Sequence, residues 1–159
     1  MRPALDPFDV ALLEALQEDC RVPAEHLGAR IGLSATAVQR RIRRMREDGT
    51  ISAEVALLGP VDPALVSVIV EVQLRQGGAA AIDAFGRAAQ ACAEVQQCWY
   101  VAGESDFVLV VLARGMADFE RFTREALLAD DNVARFRSTV VLDEVKRSLR
   151  IPLRAAPPA

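Results

Sequence analysis

The 159-residue chain carries 19 Lys+Arg against 22 Asp+Glu, a net charge of −3 with a pI near 5.3. Hydrophobic residues make up 52% and charged residues 26%, enough to fill a core, which excludes a disordered tail and allows one domain or two small ones. No apolar run approaches the roughly 20 residues that cross a bilayer, the start MRPALDPFDV lacks a secretory h-region, and three cysteines (Cys20, Cys92, Cys98) without a CxxC pair argue against a disulfide framework or a cysteine zinc site, so no membrane partner and a cytoplasmic location are expected.

The first helix is predicted from about Asp6 to Glu18, with Asp6 as N-cap, Pro7 at the first helical position and Leu12 and Leu16 at helical spacing. A short second helix follows over about Pro23 to Ile31, stopped by Gly32. Ser34 opens a third, which runs to about Asp48 and ends at Gly49. Two helices joined by a short turn containing glycine make a helix-turn-helix. Ile51 to Leu58 reads as a strand, the continuation expected of a winged helix, and Gly59, Pro60, Asp62 and Pro63 punctuate a linker.

Beyond the linker, strands are predicted at Leu65–Leu74, Val95–Ala102, Asp106–Ala113 and Arg137–Val145, and helices at Ala79–Ala93 and Met116–Leu128. That order, β-α-β-β-α-β, is the ferredoxin-like plan. The fold class is therefore α+β, with an N-terminal winged helix-turn-helix and a C-terminal ferredoxin-like domain. The expected boundaries are 1–52 for the reader, 53–64 for the linker strand, 65–150 for the second domain and 151–159 for a frayed tail. Two helices cover one face of the sheet. The strands are apolar at nearly every position, so the other face is expected to pair with a second copy of the chain.

The mildly acidic total argues against a nucleic-acid binder only as an average. Residues 1–52 hold 8 basic and 8 acidic side chains, and the remaining residues hold the other 11 and 14. Between His26 and Arg46 lie Arg30, Arg40, Arg41, Arg43, Arg44 and Arg46 and no acidic residue. Such a local patch steers a polyanion better than the net charge suggests. Stepping about 100° per residue from Val38, Ile42 and Met45 fall within about 40° and form the buried stripe. Thr36, Arg40 and Arg43 fall opposite, flanked by Gln39 and Arg44. Guanidiniums, an amide and a hydroxyl are the groups that read base edges in double-stranded DNA. Ser34, Arg41 and Arg44 are expected to hold phosphates or flank the site.

Four segments carry a family resemblance: LDPFDVALLEALQEDCR, HLGARIGLSATAVQRRIRRMREDGTI, WYVAGESDFVLVV and RSTVVLDEVKRS. Together they resemble the leucine-responsive/asparagine-regulator (Lrp/AsnC) family of transcription regulators over nearly all of residues 5–149. The resemblance implies sheet-paired homodimers, commonly assembled into octamers of four dimers, with a small amino-acid effector between dimers. It also implies effector positions at Tyr100, Gly103, Asp106, Met116, Thr139, Val140 and Val141. Beside it stands the chemistry: Asp106 offers an acceptor for an ammonium, and a glycine turn exposes backbone N–H groups to a carboxylate. A strand-start residue capping its own turn is the plainer reading of Asp106, and ordinary packing that of Tyr100 and Met116. Thr139 departs from the aromatic residue often found there.

His26 is the one histidine, so no His-based metal cluster or catalytic triad can form, and no GxSxG, Walker A, HExxH or Rossmann fingerprint is present. No catalytic residues, metal or cofactor are expected beyond an amino-acid effector. The competing class is a stand-alone amino-acid sensor or a metabolic enzyme on a ferredoxin-like fold, and a third is a module that meets an acidic protein. The acid-free arginine face separates these, because a sensor without DNA has no need of it.

Overall fold

The computed structural model describes residues 4–59 and 61–153, which form two compact units. The first comprises the N-terminal residues to Leu58 together with the segment from Arg147, and the second runs from Gly59 to Lys146.

The first unit contains α1 (Pro7–Glu18), α2 (Ala24–Ile31) and α3 (Ala35–Glu47). Helix α1 starts where the sequence supplies a complete capping box: Asp6 accepts from the Asp9 amide at 2.8 Å, and Asp9 accepts from the Asp6 amide at 3.2 Å. Ser34 caps α3 by accepting from the Ala37 amide at 3.2 Å. Leu12, Leu27, Val38 and Met45 are completely buried where the three helices meet, each stabilising the unit by about 1.5–3 kcal/mol through removal from water. Gly32 ends α2 at φ 76°, a left-handed conformation that lets the chain turn sharply into α3.

The strand expected over residues 51–58 is not formed among the described residues. Ile51 donates to the Met45 carbonyl and Arg46 binds Glu54, but no neighbouring strand offers a ladder, and Val55, Leu57 and Leu58 are exposed. The C-terminal segment returns to this unit. Gln17 exchanges two hydrogen bonds with the Ile151 backbone, Arg150 pairs with Glu18 at 3.2 Å, and Leu153 packs on the helical core. Residues 147–150, expected in the second domain, are thus tied to the first unit. The expected frayed tail begins as an attached strap, and its residues 154–159 lie outside the described residues.

The second unit has an antiparallel four-stranded sheet built from β1 (Leu65–Leu74), β2 (Val95–Tyr100), β3 (Phe107–Arg114) and β4 (Val133–Val140), in the order β2-β3-β1-β4. Helices α4 (Ala79–Ala91) and α5 (Met116–Phe122) supply its cover, and α5 continues as a π-helical turn over Thr123–Leu128. The core consists of Val68, Val70, Val72, Phe107, Leu109 and Val111 from the sheet against Phe85, Ala89, Phe119, Phe122 and Leu127. Strand β4 begins four residues earlier than the sequence suggests and stops at Val140. Val133 is buried in the core and fixes the start. The ladder with β1 stops at Val140, and Leu142 and Val145 are 97% and 89% exposed, so β-branched composition alone did not extend the strand.

The other face of the sheet is only partly apolar. Leu65, Ile69 and Trp99 are exposed there and Val108, Val110 and Leu112 half-buried, but β4 contributes Arg135, Arg137 and Thr139. Arg135 donates to Gln73 at 2.6 Å and Arg137 faces Glu71 at 3.9 Å. This corrects the expectation of strands apolar at nearly every position on that face.

Candidate nucleic-acid interface and effector site

The two arginine rows of α3 behave differently. Thr36, Gln39, Arg40 and Arg43 are exposed, and among the described residues their side chains have no hydrogen-bond or ion-pair partner. Ser34 is exposed at the helix start, where its hydroxyl oxygen accepts from the Ala37 amide and its O–H can still donate. The Arg40–Arg43–Thr36 face is therefore exposed.

Arg41 and Arg44 are not placed as free phosphate holders. Arg41 Nη1 lies 2.6 Å from Asp6 and 2.8 Å from Asp9, and Arg44 Nη2 lies 2.7 Å from the second oxygen of Asp9. The Arg41 guanidinium also sits 5.5 Å from the Phe8 ring centre, within cation–π range. The Asp9 side chain is 1% exposed. Sequence reading passed over Asp9 because its partners are 32 and 35 residues away, outside any local periodicity. The detectable signal was an acidic residue on the α1 face that also carries Leu12 and Leu13.

Burial raises the carboxyl pKa values of Asp6 and Asp9, but hydrogen bonds outweigh it. The Asp9 amide and Arg41 hold Asp6 below the usual aspartate range, and Arg44, Arg41 and the Asp6 amide hold Asp9 below it. Lowered folded values mean that their stabilisation is full above the ordinary aspartate pKa and is lost as pH falls through the folded values. The melting temperature of the first unit is thus expected to fall between roughly pH 5 and pH 2, and Asp9→Asn to flatten that acid limb. Thermal melts recorded across that range check this, and an unchanged limb in Asp9→Asn would contradict it.

The family's effector positions do not converge within one chain. Tyr100 ends edge strand β2 with its ring 5.4 Å from Phe107, and Gly103 lies in the exposed turn that follows. Asp106 closes this turn: its carboxylate accepts from the Leu74 amide at 2.7 Å, and its own amide donates to Val72 at 2.9 Å. The carboxylate therefore does not cap its own turn: one oxygen holds the Leu74 amide at the end of the neighbouring strand β1, while the other makes no hydrogen bond among the described residues. Met116 starts α5 after the far end of β3 and is exposed. Thr139 and Val140 lie on the opposite edge strand β4, and Val141 donates to Ser67 just beyond it. Two strands separate the edges, about 14 Å at sheet spacing, which is too wide for one amino acid to bridge. Tyr100 pairs with core-facing Phe107 and Thr139 with outward-facing Ile69, so the two point to opposite faces. A shallow cleft beside the turn is lined by Gln73, Glu104, Ser105, Arg135 and Arg137, a polar set that the sequence reading did not single out.

A helix-turn-helix whose outward arginines have no partner among the described residues, joined in one chain to a ferredoxin-like domain, is the arrangement of a two-part DNA-binding regulator. The AsnC-type helix-turn-helix domain matches residues 5–46, and the Lrp/AsnC ligand binding domain matches residues 67–151. An uncharacterized HTH-type transcriptional regulator of Sinorhizobium fredii is 38% identical over 150 residues, covering 94% of this chain and 89% of that protein. The leucine-responsive regulatory protein of Escherichia coli is 35% identical over 152 residues, covering 94% and 92%. A transcriptional regulator from Neisseria meningitidis, solved as an L-Met complex, superimposes with a TM-score of 0.84 at 29% identity, covering 94% and 97%. The chain belongs to the Lrp/AsnC family of helix-turn-helix transcriptional regulators.

Proposed function

We propose that this regulator reads double-stranded DNA with Arg40, Arg43, Thr36 and Gln39 in the major groove, and that it acts as a regulator and not as an enzyme, within the cytoplasm. The observation that carries this reading is the contrast along one helix: Arg41, Arg44 and Arg46 are paired with carboxylates, while the four outward residues have no protein partner among the described residues. Residues 1–52, completed by the segment from Arg147, act as the reader, 53–64 as the link and 65–146 as the sensing and assembly domain. A dimer would present two recognition helices about one turn of DNA apart, on a pseudo-palindromic site.

The exposed Trp99, Ile69 and Leu65 with the half-buried residues of β3 support pairing of the sheets, and further assembly to four dimers follows the family pattern. The effector reading extends to an amino acid such as the L-Met bound by the Neisseria relative. Asp106, with one carboxylate oxygen free of hydrogen bonds among the described residues, would meet its ammonium and the Gly103 turn its carboxylate. Because Tyr100 and Asp106 lie far from Thr139–Val141 in a single chain, the pocket is completed by another copy. The effector then shifts DNA occupancy only as far as it prefers one assembly over another.

Calorimetric titration with the common amino acids tests this part. Heat is expected from at least one of them, and Asp106→Ala is expected to abolish it while the oligomer seen by light scattering stays intact. A silent titration across all of them would remove the effector from the scheme and leave the DNA-binding assignment untouched.

A further inference from the structure

Recognition helix α3 carries its arginines as two parallel rows. Arg40 and Arg43 face outwards, and Arg41 and Arg44 stand one residue further on, about 100° around the axis. The second row is received by one carboxylate. One oxygen of Asp9 takes Arg41 Nη1 at 2.8 Å and the other takes Arg44 Nη2 at 2.7 Å, while Asp6 takes a second contact from Arg41 at 2.6 Å.

Stability is a poor account of this cluster. The Nε atoms of both arginines are buried without a hydrogen-bond partner among the described residues, so part of their desolvation is not offset. Apolar side chains of similar volume commonly serve as well as a buried ion cluster, or better. What a carboxylate gripping two rungs of one helix does supply is direction. The apolar stripe of Val38, Ile42 and Met45 attracts α1 and α2 without specifying roll or axial position, because hydrophobic contact is non-directional. A charge-assisted hydrogen bond to Arg41 and a 2.7 Å ion pair to Arg44, on rungs three residues apart, fix both.

We propose that Asp9 is a positioning residue for sequence recognition, which locks the roll of α3 through Arg41 and Arg44 so that Arg40 and Arg43 meet base edges in register. This rests on the reading of Arg40 and Arg43 as the DNA-facing row. Phosphate attraction tolerates a small error of roll, whereas a bidentate base contact does not. Loss of the lock therefore lowers discrimination between sequences more than it lowers attraction to DNA as such.

The test uses the full chain, a duplex selected from a random library by the wild-type protein, and an unrelated duplex of equal length. For Asp9→Asn, affinity for the selected duplex is expected to fall on the order of tenfold more than affinity for the unrelated one. Because Asp9→Asn leaves Arg44 without its counter-charge and Arg41 with Asp6 alone, Asp9→Leu combined with Arg41→Met and Arg44→Met gives an apolar version of the contact. It is expected to fold, with melting lowered by no more than the lost capping bond to the Asp6 amide, and to show the same loss of discrimination. A folded variant of either kind with wild-type discrimination would overturn the proposal. Arg43→Ala separates the two readings: if it leaves discrimination intact, the base-reading row is wrongly assigned, whatever Asp9 variants do.

Discussion

Gly28→Ala is expected to destabilise the first unit by about 3 kcal/mol and to abolish DNA binding with it. Gly28 lies buried within α2, and its carbonyl receives the amides of Gly32 and Leu33 as the chain turns into α3. A Cβ placed on Gly28 would lie 2.3 Å from the Leu33 carbonyl oxygen and 3.3 Å from its carbon. Both atoms are backbone, so no side chain can swing aside, and the α2–α3 turn itself would have to open. Gly86 provides the opposite case: it sits inside α4 with nothing within 4 Å of an added Cβ. Gly86→Ala is expected to stabilise the second unit by up to about 1 kcal/mol through helix propensity. Denaturant unfolding of both variants checks the pair. Equal midpoints for Gly28→Ala and wild type would show that the turn has room the structure does not display.

Arg43→Ala is expected to weaken binding to a preferred DNA site by about 1–3 kcal/mol per recognition helix, roughly five- to 150-fold. Its salt dependence tells which contact was lost. A residue reading a base leaves the slope of log affinity against log salt unchanged, while a phosphate contact removed from the protein lowers that slope by about 0.9. Arg44→Ala differs, because its guanidinium is tied to Asp9 and its loss frees a buried carboxylate oxygen. That variant should cost stability before it costs affinity. Wild-type binding that stayed flat between low and high salt would remove the arginine face as a DNA contact altogether.

The helices of the reader were legible because their signals are local. Asp6 and Ser34 are caps whose partners lie three residues away, and Val38, Ile42 and Met45 repeat with the helical period. The order of sheet elements was legible for the same reason. Features that depend on distant partners were not. Residues 51–58 have the composition of a strand, but a strand is defined by a neighbour, and none is formed there among the described residues. The start of β4 is set by Val133 entering the same core as Leu127, a placement invisible to period two. Within the candidate sites, the outward row of α3 followed from the helical wheel. The capture of Arg41 and Arg44 by Asp9 required knowing that α1 lies across α3. Gly28 left a faint trace, a glycine inside a helix of otherwise favourable formers, which usually signals a close approach.

The strap formed by residues 147–153 makes the first unit discontinuous in the chain. A ribosome releases α1, α2 and α3 first, then the whole sheet domain, and only at the end the residues that bond to Gln17 and Glu18 and seat Leu153. Synthesis therefore begins the reader early and completes it last, after the sensing domain has had time to fold. A nascent chain cut short before residue 147 would carry every arginine of the recognition helix and still lack the segment that closes the unit behind it.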